Sequence, residues 1–168
     1  MKPVHEEISD LLAERQEDRF LCPKEARKKA MDFLARREYG QIELVKKLAD
    51  KGFNYGIAEQ AITQLTDEGL QSDYRFAESF VQSRVSQGKG PVRIRTELKQ
   101  RGVDPGLIEG ALEASATDWY QLARAIRQKK FGDDAAPDFK ARARQMRFLQ
   151  YRGFEPDHIQ AAVVTGDD

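Results

Sequence analysis

Leu48-x-x-Lys51-Gly52-Phe53, Leu98-x-x-Arg101-Gly102-Val103 and Leu149-x-x-Arg152-Gly153-Phe154 are one phrase written three times. The glycines stand 50 and then 51 residues apart, and the chain goes on repeating after each of them. Nine residues past the glycine comes Ala61, Ala111 or Ala162, and the next residue is Ile62, Leu112 or Val163. A fixed period of this size marks an array of similar units rather than one mixed fold. The phrase also has a local meaning. A cation followed by Gly after an amphipathic run is a helix C-terminus: glycine takes the left-handed C′ position without a Cβ penalty, and the cation meets the negative end of the helix dipole. Leu48 and Phe53, Leu98 and Val103, and Leu149 and Phe154 then occupy the C3 and C″ positions, which touch in a Schellman cap. Gly52, Gly102 and Gly153 are thus the predicted structural caps.

Working outward, each unit reads as three helices. In the first, Lys24 to Tyr39 carries Ala26, Ala30, Met31, Phe33 and Leu34. Gln41 to Lys51 carries Ile42, Leu44, Val45 and Leu48, and Asn54 caps a helix bearing Ile57, Ala61, Ile62 and Leu65. In the second, Ser72-Asp73 opens a helix with Phe76, Ala77, Phe80 and Val81 inward. Pro91 suits the first turn of the next helix, with Ile94 and Leu98 inward, and Asp104-Pro105 forms an N-cap and N1 pair ahead of Leu107, Ile108, Ala111 and Leu112. The third opens at Thr117-Asp118 with Trp119, Leu122, Ala123 and Ile126. A longer connection, Phe131 to Pro137, leads to a helix with Phe139, Met146 and Leu149, then to a short helix with Ile159, Ala162 and Val163. Glu155 is a poor N-cap, so fraying is expected there. No run alternates with period two. The expected fold is all-α: three tandem three-helix repeats (24–69, 70–116 and 117–168, the last with a short acidic tail) in an elongated, curved array. Residues 1–23 form an extra N-terminal arm or loosely docked acidic helix, with Ile8, Leu11 and Leu12 on one side.

The chain has 168 residues, 40% hydrophobic and 33% charged, with 28 basic and 28 acidic side chains. The zero net charge hides a gradient from −3 over residues 1–23 to +3 over residues 117–164. Such a balance argues against holding nucleic acid by charge alone and favours a mixed-charge protein surface as partner. The single cysteine, Cys22, excludes an internal disulfide and fits a reducing compartment. No apolar run reaches the length of a membrane span, and the acidic N-terminus is not that of a signal peptide.

Enzyme signatures are missing. His5 and His158 lie far apart, Cys22 has no metal-ligand spacing, and Gly88-Lys89-Gly90 lacks the Gly-Lys-Ser/Thr ending of a phosphate loop. No catalytic, metal or cofactor site is expected. The notable residues are cations set against local preference: Lys47 with Lys51 and Arg95 with Lys99 at i,i+4, and Lys140, Arg144 and Arg147 on a similar face. Like charges at this spacing cost about 0.2–0.5 kcal/mol per pair. With Arg84, Lys89 and Arg93 nearby, the middle unit reads either as a basic patch or as a solvated face on which Arg93 pairs with Glu97.

Asp73-x-x-Phe76-Ala77-x-x-Phe80-Val81-x-x-Arg84, followed by Gly88-x-Gly90-Pro91-x-Arg93-Ile94-x-x-Glu97-Leu98-x-x-Arg101-Gly102-Val103, resembles the RecX family of recombination regulators. Asp118-Trp119-x-x-Leu122-Ala123-Arg124, Lys130-Phe131-Gly132 and Arg147-Phe148-Leu149-x-Tyr151-Arg152-Gly153-Phe154 extend the resemblance over roughly residues 24–163. The resemblance implies a cytoplasmic, monomeric, non-enzymatic protein that binds the RecA filament on single-stranded DNA. It further implies inhibition of RecA ATPase, strand exchange and coprotease activities, and so modulation of DNA repair and SOS induction. Arg75, Arg84, Lys89, Arg93, Arg95, Lys99 and Arg101 are then the residues expected to meet acidic RecA side chains or phosphates. A direct binder of single- or double-stranded nucleic acid is the alternative.

Overall fold

The computed structural model describes residues 1–163, excepting the side chains of Gln16 and Glu17. The predicted acidic tail, 165–168, lies outside the described residues. Ten α-helices follow one another: α1 Val4–Phe20, α2 Pro23–Leu34, α3 Gln41–Asp50, α4 Tyr55–Asp67, α5 Asp73–Ser86, α6 Pro91–Gln100, α7 Pro105–Ala114, α8 Trp119–Phe131, α9 Phe139–Arg152 and α10 Pro156–Ala162. No β-strand occurs among the described residues. The chain forms two compact units, Met1–Phe76 and a second from Ala77 onward, with the boundary falling inside α5.

Each of the three repeated phrases closes in a Schellman cap. The N–H groups of Phe53, Val103 and Phe154 donate to the carbonyls of Leu48, Leu98 and Leu149 at 3.1, 3.2 and 3.2 Å. Those of Gly52, Gly102 and Gly153 donate to Ala49, Lys99 and Gln150 at 2.9, 2.9 and 3.0 Å. The glycines have φ of +109°, +76° and +95°. This is the 6→1 and 5→2 pattern that satisfies orphan carbonyls at a helix end.

In the first unit α2, α3 and α4 enclose Ala26, Ala30, Phe33, Leu44, Val45, Leu48, Phe53, Ala58, Ala61, Ile62 and Leu65. Asn54 caps α4 by accepting the Ile57 N–H at 3.2 Å. Three inward assignments made from sequence are corrected. Met31 (42% exposed), Ile42 (59%) and Phe139 (86%) face outward. Met31 lies about 140° round α2 from Ala26, Ile42 lies off the Leu44–Val45–Leu48 stripe, and Phe139 is the first residue of α9. Helix α2 also stops at Leu34 instead of running to Tyr39. Tyr39 is buried, its ring 5.8 Å from that of Phe33, with the Arg37 guanidinium 3.6 Å from its centroid. Asp73, the first residue of α5, fixes this turn: one carboxylate oxygen accepts from the Gln41 N–H at 2.7 Å and from buried Gln71 at 2.9 Å. Residues 1–23 contribute a full helix, α1, whose Ile8, Leu11 and Leu12 are exposed. Its end is docked: Phe20 packs edge-on against Phe53 at 5.3 Å, and its carbonyl accepts the Asn54 N–H at 3.1 Å.

In the second unit α8, α9 and α10 bury Ala123, Leu149, Phe154, Ile159, Ala162 and Val163. Helix α10 is formed, and it begins on an unforeseen device: the Glu155 N–H donates to Nδ1 of His158 at 3.2 Å. The second and third repeats join where α6 begins and α9 ends. The Gly90 N–H donates to the Arg152 carbonyl at 2.8 Å and the Val92 N–H to the Gly153 carbonyl at 2.9 Å. A Cβ on Gly90 would overlap the Gly153 carbonyl, and one on Gly153 would overlap Arg93.

Gly90→Ala is therefore expected to lower the stability of the second unit by about 2–4 kcal/mol. Gly110→Ala, inside α7 with nothing within 4 Å of the added carbon, is expected to raise it by about 0.5–1 kcal/mol. Denaturant unfolding of the two variants checks both signs; a Gly90→Ala protein as stable as the parent would show that the junction yields without loss.

Candidate functional site

Six of the seven predicted basic residues lie on α6 and its approaches, where the structure supplies Arg84, Lys89, Arg93 and Arg95 with acids. Glu97 is the centre. Its carboxylate accepts from Arg84 Nε at 2.8 Å and from Arg93 Nε at 3.3 Å, with Lys89 Nζ 3.8 Å away. Arg84 comes from the last turn of α5, Lys89 from the α5–α6 connection and Arg93 from the first turn of α6. The Arg84 and Arg101 guanidinium groups lie 4.2 and 4.9 Å from the Phe80 ring centroid, and Arg101 also donates to the Glu97 backbone carbonyl at 3.1 Å. Arg95 bridges Glu109 at 2.6 Å and Glu155 at 3.1 Å. In the first unit Arg75 binds Glu38 at 3.1 Å and the Gly69 carbonyl at 2.9 Å. Lys99 is exposed, with no ion pair among the described residues. The like-charge strain that the sequence suggested on α6 is thus largely relieved within the chain.

This density of charge perturbs titration. Burial pushes the Glu97 carboxyl up, but the hydrogen bond and charge of Arg84, with Lys89 and Arg93 behind, outweigh it and hold the group below the ordinary glutamate value. Lys89 is pushed down, first by burial and then by the charges of Arg93, Arg84 and Arg152, with Glu97 opposing.

The arrangement offers binding rather than bond-making groups. Among the described residues no cluster of three or more His, Cys, Asp or Glu is placed to hold a metal ion, and no helix is long and apolar enough to cross a membrane. The amides of Gly88, Lys89 and Gly90 all donate to backbone carbonyls, of Val85, Arg84 and Arg152, so this loop is a helix connection and not a phosphate cradle. His158 is buried as a cap, and Cys22 precedes α2 as a free thiol.

Two features escaped the sequence reading. Arg127 is 8% exposed and, among the described residues, donates to neutral acceptors: Gln145 Oε1 at 3.0 Å and the carbonyls of Gly132 at 3.3 Å and Asp134 at 2.5 Å. It pins the long connection between α8 and α9. The second concerns α9: the sequence placed Lys140, Arg144 and Arg147 on one face but not the lack of any carboxylate partner for them among the described residues, and the absence of any Asp or Glu from Phe139 to Arg152 was the available signal.

Family models for the first, second and third three-helix domains of RecX match residues 26–65, 72–112 and 116–163. The chain belongs to the RecX family. It is 45% identical over 139 residues to the regulatory protein RecX of Halorhodospira halophila, covering 83% of this chain and 86% of that one. To the regulatory protein RecX of Pseudomonas entomophila it is 44% identical over 146 residues, covering 87% and 94%. A crystal structure of regulatory protein RecX superposes with a TM-score of 0.70 at 21% identity, over 96% of this chain and 78% of that one. RecX from Lactobacillus salivarius gives 0.68 at 22%, over 83% and 93%. The RecX fold is shared at that distance, and the closer sequence relatives bear the name of a regulatory protein.

In this RecX chain, Glu97→Gln leaves three cations around a neutral amide. A loss of about 1–3 kcal/mol at neutral pH is expected. Because the folded pKa is depressed, the contribution of Glu97 is full above the unfolded-chain value. It is lost as pH falls through the lower folded value. Thermal melts of parent and variant should therefore differ most near pH 7 and converge in acid; equal melting temperatures at pH 7 would remove Glu97 from the centre of this cluster.

Proposed function

We propose that this protein is a non-enzymatic regulator that binds the RecA filament on single-stranded DNA. There it lowers RecA ATPase, strand-exchange and coprotease activity, and so restrains recombination, DNA repair and SOS induction in the cytoplasm. The observation that carries the reading is the match of all three RecX three-helix domains, in order, to one chain. Its surface is consistent with a filament partner. Repeated units offer several weak contacts, and once one is made the others form at high effective concentration. Bridging neighbouring protomers in this way would hinder the motions that couple ATP turnover to strand exchange.

Within the second repeat, Lys99 is the proposed leading contact for an acidic RecA side chain. Arg93 and Arg95, whose side chains are each 33% exposed, present outer edges on the same helix; Arg75, in the first unit, has its side chain 44% exposed. Arg84, Lys89 and Arg101 act through the shape of the Glu97 cluster. Reversing Arg93 and Arg95 would dismantle ion pairs inside the protein, so Lys99 is the cleaner probe.

The expected outcome is that RecA hydrolysis of ATP on single-stranded DNA falls when this protein is added well below one molecule per nucleotide covered by RecA, with Lys99→Glu shifting the curve to higher concentration. Unchanged hydrolysis with a full excess of folded protein would overturn the reading.

A further inference from the structure

Helix α9 carries five cations, Lys140, Arg142, Arg144, Arg147 and Arg152, and no acidic residue. At 3.6 residues per turn, Lys140, Arg144, Arg147 and Tyr151 fall within an arc of about 60° and run some 16 Å along the helix. All four are exposed. Several cations elsewhere are answered by neighbours: Arg84, Lys89 and Arg93 by Glu97, Arg95 by Glu109 and Glu155, Arg27 by Glu68, Arg37 by Glu43. Among the described residues Lys140, Arg144 and Arg147 have no such partner. Three cations at i,i+4 and i+3 spacing repel one another, and nothing in α9 offsets that.

Aromatic rings are interleaved with the charges. The Arg144 guanidinium sits 5.6 Å from the Phe131 centroid, which steadies it without neutralising it. At the far end of the row Tyr151 is 79% exposed, with the Arg93 guanidinium 5.6 Å from its centroid. Phe139, 86% exposed, precedes the row but lies about 100° round the helix from Lys140. A row of unpaired cations with an exposed aromatic ring at its far end is complementary to a chain that carries regular negative charge and bare π faces.

We infer that the outer face of α9 is a binding surface for single-stranded nucleic acid, in which Lys140, Arg144 and Arg147 meet successive phosphates and Tyr151 stacks on a base. A duplex would engage the cations but hide its base faces from Tyr151. An acidic protein surface would leave the exposed Tyr151 ring unexplained. Single-stranded binders combine a cationic track with aromatic platforms in this manner. The zero net charge of the chain is no obstacle, because the cations are concentrated on one face. This surface stands beside the proposed RecA contact of the second repeat and does not depend on it.

The test is fluorescence anisotropy of labelled oligothymidylate with the full chain, over a range of salt and without RecA. The parent protein should bind. Replacing Lys140, Arg144 and Arg147 together by Gln should weaken binding at least tenfold and reduce the log–log salt slope by about 2, the share of three single-strand phosphates. Tyr151→Ala should weaken binding by roughly tenfold with the slope unchanged, and Tyr151→Phe should restore it. Circular dichroism verifies the fold of each variant. No binding by the parent, or an unaltered slope in the folded triple variant, would overturn the assignment. So would loss of RecA inhibition in the triple variant with oligothymidylate binding intact, which would give the row to a protein partner. A parent that binds oligothymidylate yet leaves RecA unaffected would refute the RecA reading and leave this one standing.

Discussion

The meeting of two helix ends organises the larger part of this molecule. At the start of α6, amide N–H groups point outward with no intrahelical partner; at the end of α9, carbonyls do the same. Here each end supplies what the other lacks, through Gly90 to Arg152 and Val92 to Gly153. The helix dipoles add to the effect, since a positive terminus faces a negative one. The approach is close enough that both facing residues must lack a side chain. Around this contact, Arg152 donates to the Gln87 carbonyl at 3.0 Å and Arg95 reaches Glu155. The Gly153 cap thus has two duties: it ends α9 and it seats α6. In the first repeat the corresponding Gly52 seats the Phe20 ring of α1 instead, so the same turn accepts different neighbours.

Local features were readable from the chain because their determinants are adjacent in sequence. The Leu–cation–Gly–apolar phrase specifies C3, C′ and C″ within six residues, and Asn54, Asp104 and Asp118 announce the helices they cap. Exposure was read less well where one apolar residue sits at a helix start, as with Ile42 and Phe139, since a stripe has no neighbour there to define its direction. The charge network was hardest. Glu97 was visible as an i,i+4 partner of Arg93, but Arg84 reaches it from thirteen residues away, and Arg95 finds Glu155 sixty residues on. No periodicity encodes such pairs. Likewise Arg127 looks like any surface cation until the α8–α9 connection folds back and offers its carbonyls.

Two treatments of positive charge therefore coexist. On α6 cations are drawn inward around carboxylates and set geometry. On α9 they are left facing solvent, and the aromatic rings beneath and beside them fix orientation without removing charge. Charge counts over a repeat cannot separate these cases; only the location of the acids does. The family models cover both helices alike, so the distinction belongs to the arrangement of side chains and not to the fold.

The junction of α6 with α9 also bears on the order in which the protein can be built. A ribosome emits α1 to α4 first, and that first unit holds its own core and caps. The second repeat follows, but a nascent chain ending after α7 still lacks Arg152, Gly153 and Glu155. The opening amides of α6 and the guanidinium of Arg95 then have no final partners. Domains generally fold in the sequence of their synthesis. Here the junction of the middle repeat with the last can close only after Arg152, Gly153 and Glu155 have been synthesised.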